Sequence, residues 1–225
     1  MLYINFATPP IRAVQSCIYI VSFLKFAYYF SDMTNFSRLQ QVKRRFFAMR
    51  NGVIADTYRK AGSPHHIIFG LVLPQLVEIA SEFGHDPELA RQLWANSSTR
   101  ESMLLAPMLL RPEDMTLSSA LEMISQSPSA ETVDILCHRL LRHTPFSLDI
   151  AVQASDTSLP PLCRYASLRL LWHKLSTDAA TVRAIAEKEL GTGDALTRLP
   201  ATQILDELNY LENPCLLYTS DAADD

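Results

Sequence analysis

The feature that most constrains this chain is its punctuation. Apolar residues recur at helical spacing in runs of about 10–15 residues, and each run is closed by a Pro, Ser, Thr, Asp or Gly signal. Only six glycines occur, and long β-branched alternation is hard to find. Such a chain buries the apolar faces of many short helices against one another. The expected class is all-α, built as an α–α superhelix of stacked hairpins, with a compact bundle as the rival. The length of 225 residues is ample for one large helical core. No strict repeat period is visible, so any repeats have diverged.

Local signals place the elements. A first helix is expected over 35–60, broken near Asn51–Gly52 and ended by Gly62-Ser63-Pro64. Pro74 opens the next, with Leu76, Ile79 and Ala80 on one face and Gly84 as its cap. Asp86 and Pro87 start a helix that turns Leu89, Leu93 and Trp94 inward. Ser98-Thr99-Arg100-Glu101 reads as a capping box before MLLAPMLL, where Pro107 should kink the helix. Further helices are expected over 117–126, 129–143, 146–154, 160–175, 178–190 and 198–212.

The two ends read differently. Residues 13–30 are apolar and aromatic, which admits a membrane-tethered reading. Gln15, Ser16, Ser22 and Lys25 weaken a span, and Met33 starts an amphipathic helix at once. The favoured reading makes residues 1–32 an extension outside the fold. The tail CLLYTSDAADD resembles translated adapter sequence, so 33–214 is taken as the helical domain, truncated, and 215–225 as a non-native tail.

The net charge of −4 argues mildly against nucleic acid. Setting aside the two basic and four acidic side chains outside 33–214 leaves 18 and 20, a net of −2. The basic residues nevertheless cluster: Lys43, Arg44, Arg45, Arg50, Arg59 and Lys60 early, then Arg139, Arg142, Arg164 and Arg169. Lys43-Arg44-Arg45 suits a phosphate track or a solvated face equally, with Phe46, Phe47 and Met49 beside it read as core. Cys17, Cys137, Cys163 and Cys215 form no C-x-x-C pair, and reduced thiols in a cytoplasmic protein are the simplest reading. His65-His66 has no third metal ligand at useful spacing, so no metal is expected. No phosphate-cradling glycine motif occurs, and no nucleotide cofactor is expected.

One stretch carries a likeness. Gly70 to Thr116 reads GLVLPQLVEIASEFGHDPELARQLWANSSTRESMLLAPMLLRPEDMT. Gly70, Pro74, Leu93-Trp94 and Arg100-Glu101 stand in the order and spacing seen in the HEAT-like-repeat DNA alkylation repair proteins, and the chain resembles a degenerate member of that family. The likeness extends more weakly over residues 35–175. The family's Trp-Asp-x-Val-Asp pattern meets Ala130-Glu131-Thr132-Val133-Asp134, which keeps the aspartate as Asp134 and replaces the tryptophan by Ala130. An arginine held against the DNA backbone in the family matches Arg164.

The resemblance implies double-stranded DNA carrying alkylated bases as partner, a monomer, and excision of cationic 3- or 7-alkylpurines without metal or cofactor. Asp134 would oppose the positive charge that grows on the deoxyribose. Arg164, Arg169, Lys43, Arg44 and Arg45 would meet phosphates. Each residue also has a plainer reading. Asp134 could pair with His138 one turn on. Arg164 could bridge to Glu131 or Asp134. Arg100 and Glu101 could brace their helix, and Trp94 could pack in the core. The rival function is a non-catalytic helical scaffold that binds a protein partner.

Overall fold

The computed structural model describes residues 37–212, and every regular element among them is helical. The chain divides into compact units at Arg44 and Arg45, and the described part of the first is the opening of one helix. That helix, α1 (Arg38–Ala48), stops before Asn51, whose side chain accepts from the amides of Val53 and Ile54 and starts α2 (Gly52–Lys60). The expected break therefore has a capping cause. In α3 (Leu73–Phe83) Pro74 stands in the first turn, Gln75 closes onto the Val72 amide, and Gly84 at φ +63° ends the helix. Asp86 caps α4 (Pro87–Ala95) through the Leu89 amide.

The α5 helix (Arg100–Leu105) tightens at Pro107 into a 3-10 turn over Ala106–Leu109. Thr116 and Ser119 cap each other at the start of α6 (Leu117–Gln126). Ser129 caps α7 (Ala130–Arg139), followed by a 3-10 turn over Leu141–His143 and by α8 (Ser147–Ala154). Then come α9 (Pro161–Leu171), a 3-10 turn over Trp172–Lys174, α10 (Ala179–Leu190) and α11 (Ala195–Glu212). The last starts three residues before the sequence expectation, because Asp194 caps the Leu196 amide and Pro200 is carried inside the helix.

The core is organised on α9, which packs against α6, α7, α8, α10 and α11. Cys163 through Leu168, with Leu170 and Leu171, are buried around most of its circumference. A helix buried all round needs small or apolar residues on every side, and here Ala166 and Ser167 let neighbours approach. Ser167 satisfies its hydroxyl on the Ala151 carbonyl at 2.6 Å.

Three of the residues that carry the family likeness, Gly70, Arg100 and Glu101, take part in a structural clasp. Glu101 does not cap its own helix as the capping-box reading expects. Its carboxylate is fully buried and accepts from the amides of Phe69, Gly70 and Leu71 at 3.0, 2.9 and 3.3 Å. The loop before α3 has no ladder to bond with beyond the single parallel bridge of Ile67 to Thr99, so a buried acceptor must satisfy it. Arg100, only 2% exposed, grips Glu131 through the Nε–Nη2 edge of its guanidinium, donates from Nη1 to the Leu71 carbonyl and lies 3.8 Å from the Tyr58 ring. Gly70 has φ +80°, and a Cβ there would stand 2.2 Å from the Asn51 carbonyl oxygen. Only glycine allows that approach.

Three packing expectations need correction. Phe46 is buried, but Phe47 lies on the surface, edge-on to Phe69 and under Arg50. Trp94 is half-buried rather than core, because its indole N–H reaches out to Gln126 at 2.8 Å. Glu131 is taken by Arg100, so it is not the partner of Arg164.

Candidate active site

Burial of Val133, Leu136 and Cys137 fixes how α7 is rotated and leaves Asp134 at the margin of its apolar face. Tyr165 and Arg169, one turn apart on α9, face it. The Tyr165 hydroxyl donates to Asp134 Oδ1 at 2.9 Å, and Arg169 Nε lies 2.6 Å from the same oxygen. Burial and the neighbouring carboxylate push the Tyr165 phenol up to about 12, so it remains a donor at neutral pH. Asp134 is therefore not paired with His138.

A cavity of about 230 Å³ opens beside this carboxylate, lined by Asp134, Cys137, His138, Arg169, Trp172 and His173. Arg169 and Trp172 also line a neighbouring cavity of about 500 Å³, completed by Gln203, Asp206, Glu207 and Tyr210 of α11. Trp172 is 38% exposed and lines both cavities. The His138 and His173 rings stand 6.1 Å apart. Burial foremost, then Arg142 and the other cations around them, holds both imidazoles below their ordinary range. Burial also raises the Cys137 thiol, with Asp134 adding to the effect, so this cysteine stays a protonated packing residue.

Beyond Arg169, the cations of this region gather around His138, the neighbour of Asp134 in the cavity lining. Arg139, Arg142 and Arg169 all act on His138. Among the described residues, Asp134 is the one carboxylate lining the smaller cavity, and a carboxylate fixed there beside a movable arginine can oppose a developing cation next to a polyanion.

The remaining residues singled out from sequence lie elsewhere. Arg164 shares α9 with Arg169 but is only 7% exposed. Its guanidinium bonds Glu189 at 2.5 Å, Asp194 at 3.3 Å and the Leu159 carbonyl at 3.2 Å. The salt-bridge reading holds with partners other than those expected, and this buried charge is already matched. Arg45 is bonded by Glu78 and Glu82 of α3. Lys43 and Arg44 are exposed on α1, in the other compact unit. His65 is buried, with Nδ1 2.9 Å from the Ser97 carbonyl.

Among the described residues, no group of three or more His, Cys, Asp or Glu stands ready to hold a metal ion. No described helix is long and apolar enough to cross a membrane. The reading of residues 13–30 as a span, and that of the C-terminal tail, fall outside the described residues, as do Cys17 and Cys215.

Sequence reasoning missed Tyr165, Trp172 and His173. The i, i+4 spacing of Tyr165 to Arg169 was available, but nothing in the sequence aims that pair at Asp134. Compared with known families, residues 42–208 match the model described as DNA alkylation repair enzyme. No curated protein and no solved structure matches the chain.

Proposed function

The chain belongs to the DNA alkylation repair enzyme family, and from that premise we propose that it binds duplex DNA on a HEAT-like helical-repeat surface and hydrolyses the N-glycosidic bond of cationic 3- or 7-alkylpurines. The observation that carries this reading is the Asp134 carboxylate lining a small cavity, met on one oxygen by the Tyr165 hydroxyl and by Arg169.

The chemistry follows from charge. An alkylated purine is already cationic, so it leaves with the C1′–N electron pair and becomes neutral without a general acid. Positive charge passes to the deoxyribose, where Asp134 opposes it. Water then forms the C1′–O bond and releases its proton to solvent. Arg169, exposed enough to move, would meet a backbone phosphate. Trp172 would supply the aromatic wall that Ala130 cannot, pressing on the sugar and excluding water. Arg164 is assigned to bracing α9 against α10 rather than to phosphate. Residues 33–214 would act as one domain, as a monomer in the cytoplasm.

The test is release of 7-methylguanine from methylated duplex DNA by the full chain. Asp134→Asn should lower single-turnover release by about 10²-fold, the usual cost of losing one preorganised electrostatic group. Equal release by wild type and variant would remove Asp134 from the mechanism.

A second reading, a non-catalytic scaffold for a protein partner, is favoured by one feature. A cleft of about 710 Å³ lies between α4 and α6 and is lined by Trp94, Met103, Met115 and Met123. Methionine-lined clefts adapt to apolar side chains. Wild-type protein that neither releases base nor binds duplex DNA would leave this reading standing.

A further inference from the structure

We infer that Tyr165 is a positioning residue for Asp134, holding one carboxylate oxygen in place while Arg169 exchanges its partner on contact with DNA. The inference rests on the glycosidic reading above and adds a residue to it.

The geometry is asymmetric. The Tyr165 hydroxyl and Arg169 Nε both meet Asp134 Oδ1, and Oδ2 takes no hydrogen bond from the described residues. An aspartate carboxylate rotates about a soft torsion, so a single moving partner would not hold its plane. The two donors differ in mobility. Arg169 is 39% exposed and lies at the junction of two cavities, with a long side chain able to reach out. The Tyr165 ring is buried in the helical core around α9 and has one polar atom to place. A phosphate offers Arg169 a bidentate partner. When the guanidinium leaves, the carboxylate loses its matching charge and becomes a stronger stabiliser of a cation. The tyrosine then remains to keep Oδ1 turned inward and Oδ2 toward the cavity. The free protein holds Asp134 neutralised, and DNA contact itself uncovers the charge.

The experiment uses the full chain and two short duplexes, one with a cationic pyrrolidine in place of a deoxyribose and one with neutral tetrahydrofuran at that position. The ratio of the two affinities reports the carboxylate and cancels any difference in active fraction. Wild type should prefer the cation by about tenfold or more, and Asp134→Asn should abolish the preference. Tyr165→Phe, which keeps the ring, should cut the ratio severalfold. In an Asp134→Asn background the same change should do nothing, because Tyr165 acts only through the carboxylate. A Tyr165→Phe protein that keeps the wild-type ratio overturns the inference and leaves the glycosidic reading intact. A wild type that binds both duplexes alike overturns that reading and the inference with it.

Discussion

Replacing Glu101 by alanine strips three amides, two buried and one half-buried, of their acceptor at once. Gly70 and Leu71 are buried and Phe69 half-buried in the loop before α3, and their N–H groups point at Glu101. A buried donor left without a partner costs about 1–3 kcal/mol. Water entering the vacated space would recover part of this, since the alanine leaves room for a molecule near three donors. Arg100 loses one carboxylate but keeps Glu131 and the Leu71 carbonyl, so the charge is not stranded. The summed loss is then about 3–5 kcal/mol, a large share of the roughly 5–15 kcal/mol that holds a domain together. At roughly 2–4 °C per kcal/mol for a domain of this size, Tm should fall by about 6–20 °C.

Glu101→Gln separates the contributions further. Its oxygen can still accept from Gly70 and Leu71, but its amino group opposes the Phe69 N–H, so an intermediate loss is expected. Urea unfolding and thermal melting measure both variants. A loss under about 1 kcal/mol for Glu101→Ala would show that the amides are not held by this carboxylate, and the clasp would be wrong.

Two further outcomes follow from buried charge and from titration. Glu189→Ala should cost about 3–5 kcal/mol by leaving Arg164 underpaired in the core. The double variant Arg164→Met, Glu189→Leu should recover most of that in urea unfolding, and failure to recover would mean the pair is more than mutual compensation. His138 and His173 are held below their ordinary range, so below about pH 6.5 the unfolded chain takes up protons first. The stability tied to their neutral forms is complete above that pH and is lost as the pH falls through the lowered folded-state values. Partial exposure and salt keep the effect small. The Tm of wild type should fall more between pH 7.5 and 5 than that of His138→Gln, His173→Gln, and equal falls in melting experiments would refute it.

Helix positions were legible in the sequence because their causes are local. Asn51, Asp86, Thr116 and Ser129 cap the helices that follow them, and Pro107 turns α5 into a tighter helix within a few residues. Asp134 and Arg169 were also legible as residues, through a family pattern and through a cluster of arginines. Their meeting was not. Whether a carboxylate on α7 touches a guanidinium on α9 depends on the rotation of two helices 31 residues apart at Tyr165 and Asp134, set by how Val133, Leu136, Cys137 and Ala166 pack. The same dependence separates two arginines five residues apart on α9. Arg164 turns into the core toward Glu189, and Arg169 turns out toward Asp134. Periodicity along a chain reports which side of a helix is buried, but not which charge lies across the interface. The sequence therefore determined the helices and their apolar faces, and tertiary packing alone decided which ionised groups became partners, because that choice is made between segments distant in the chain.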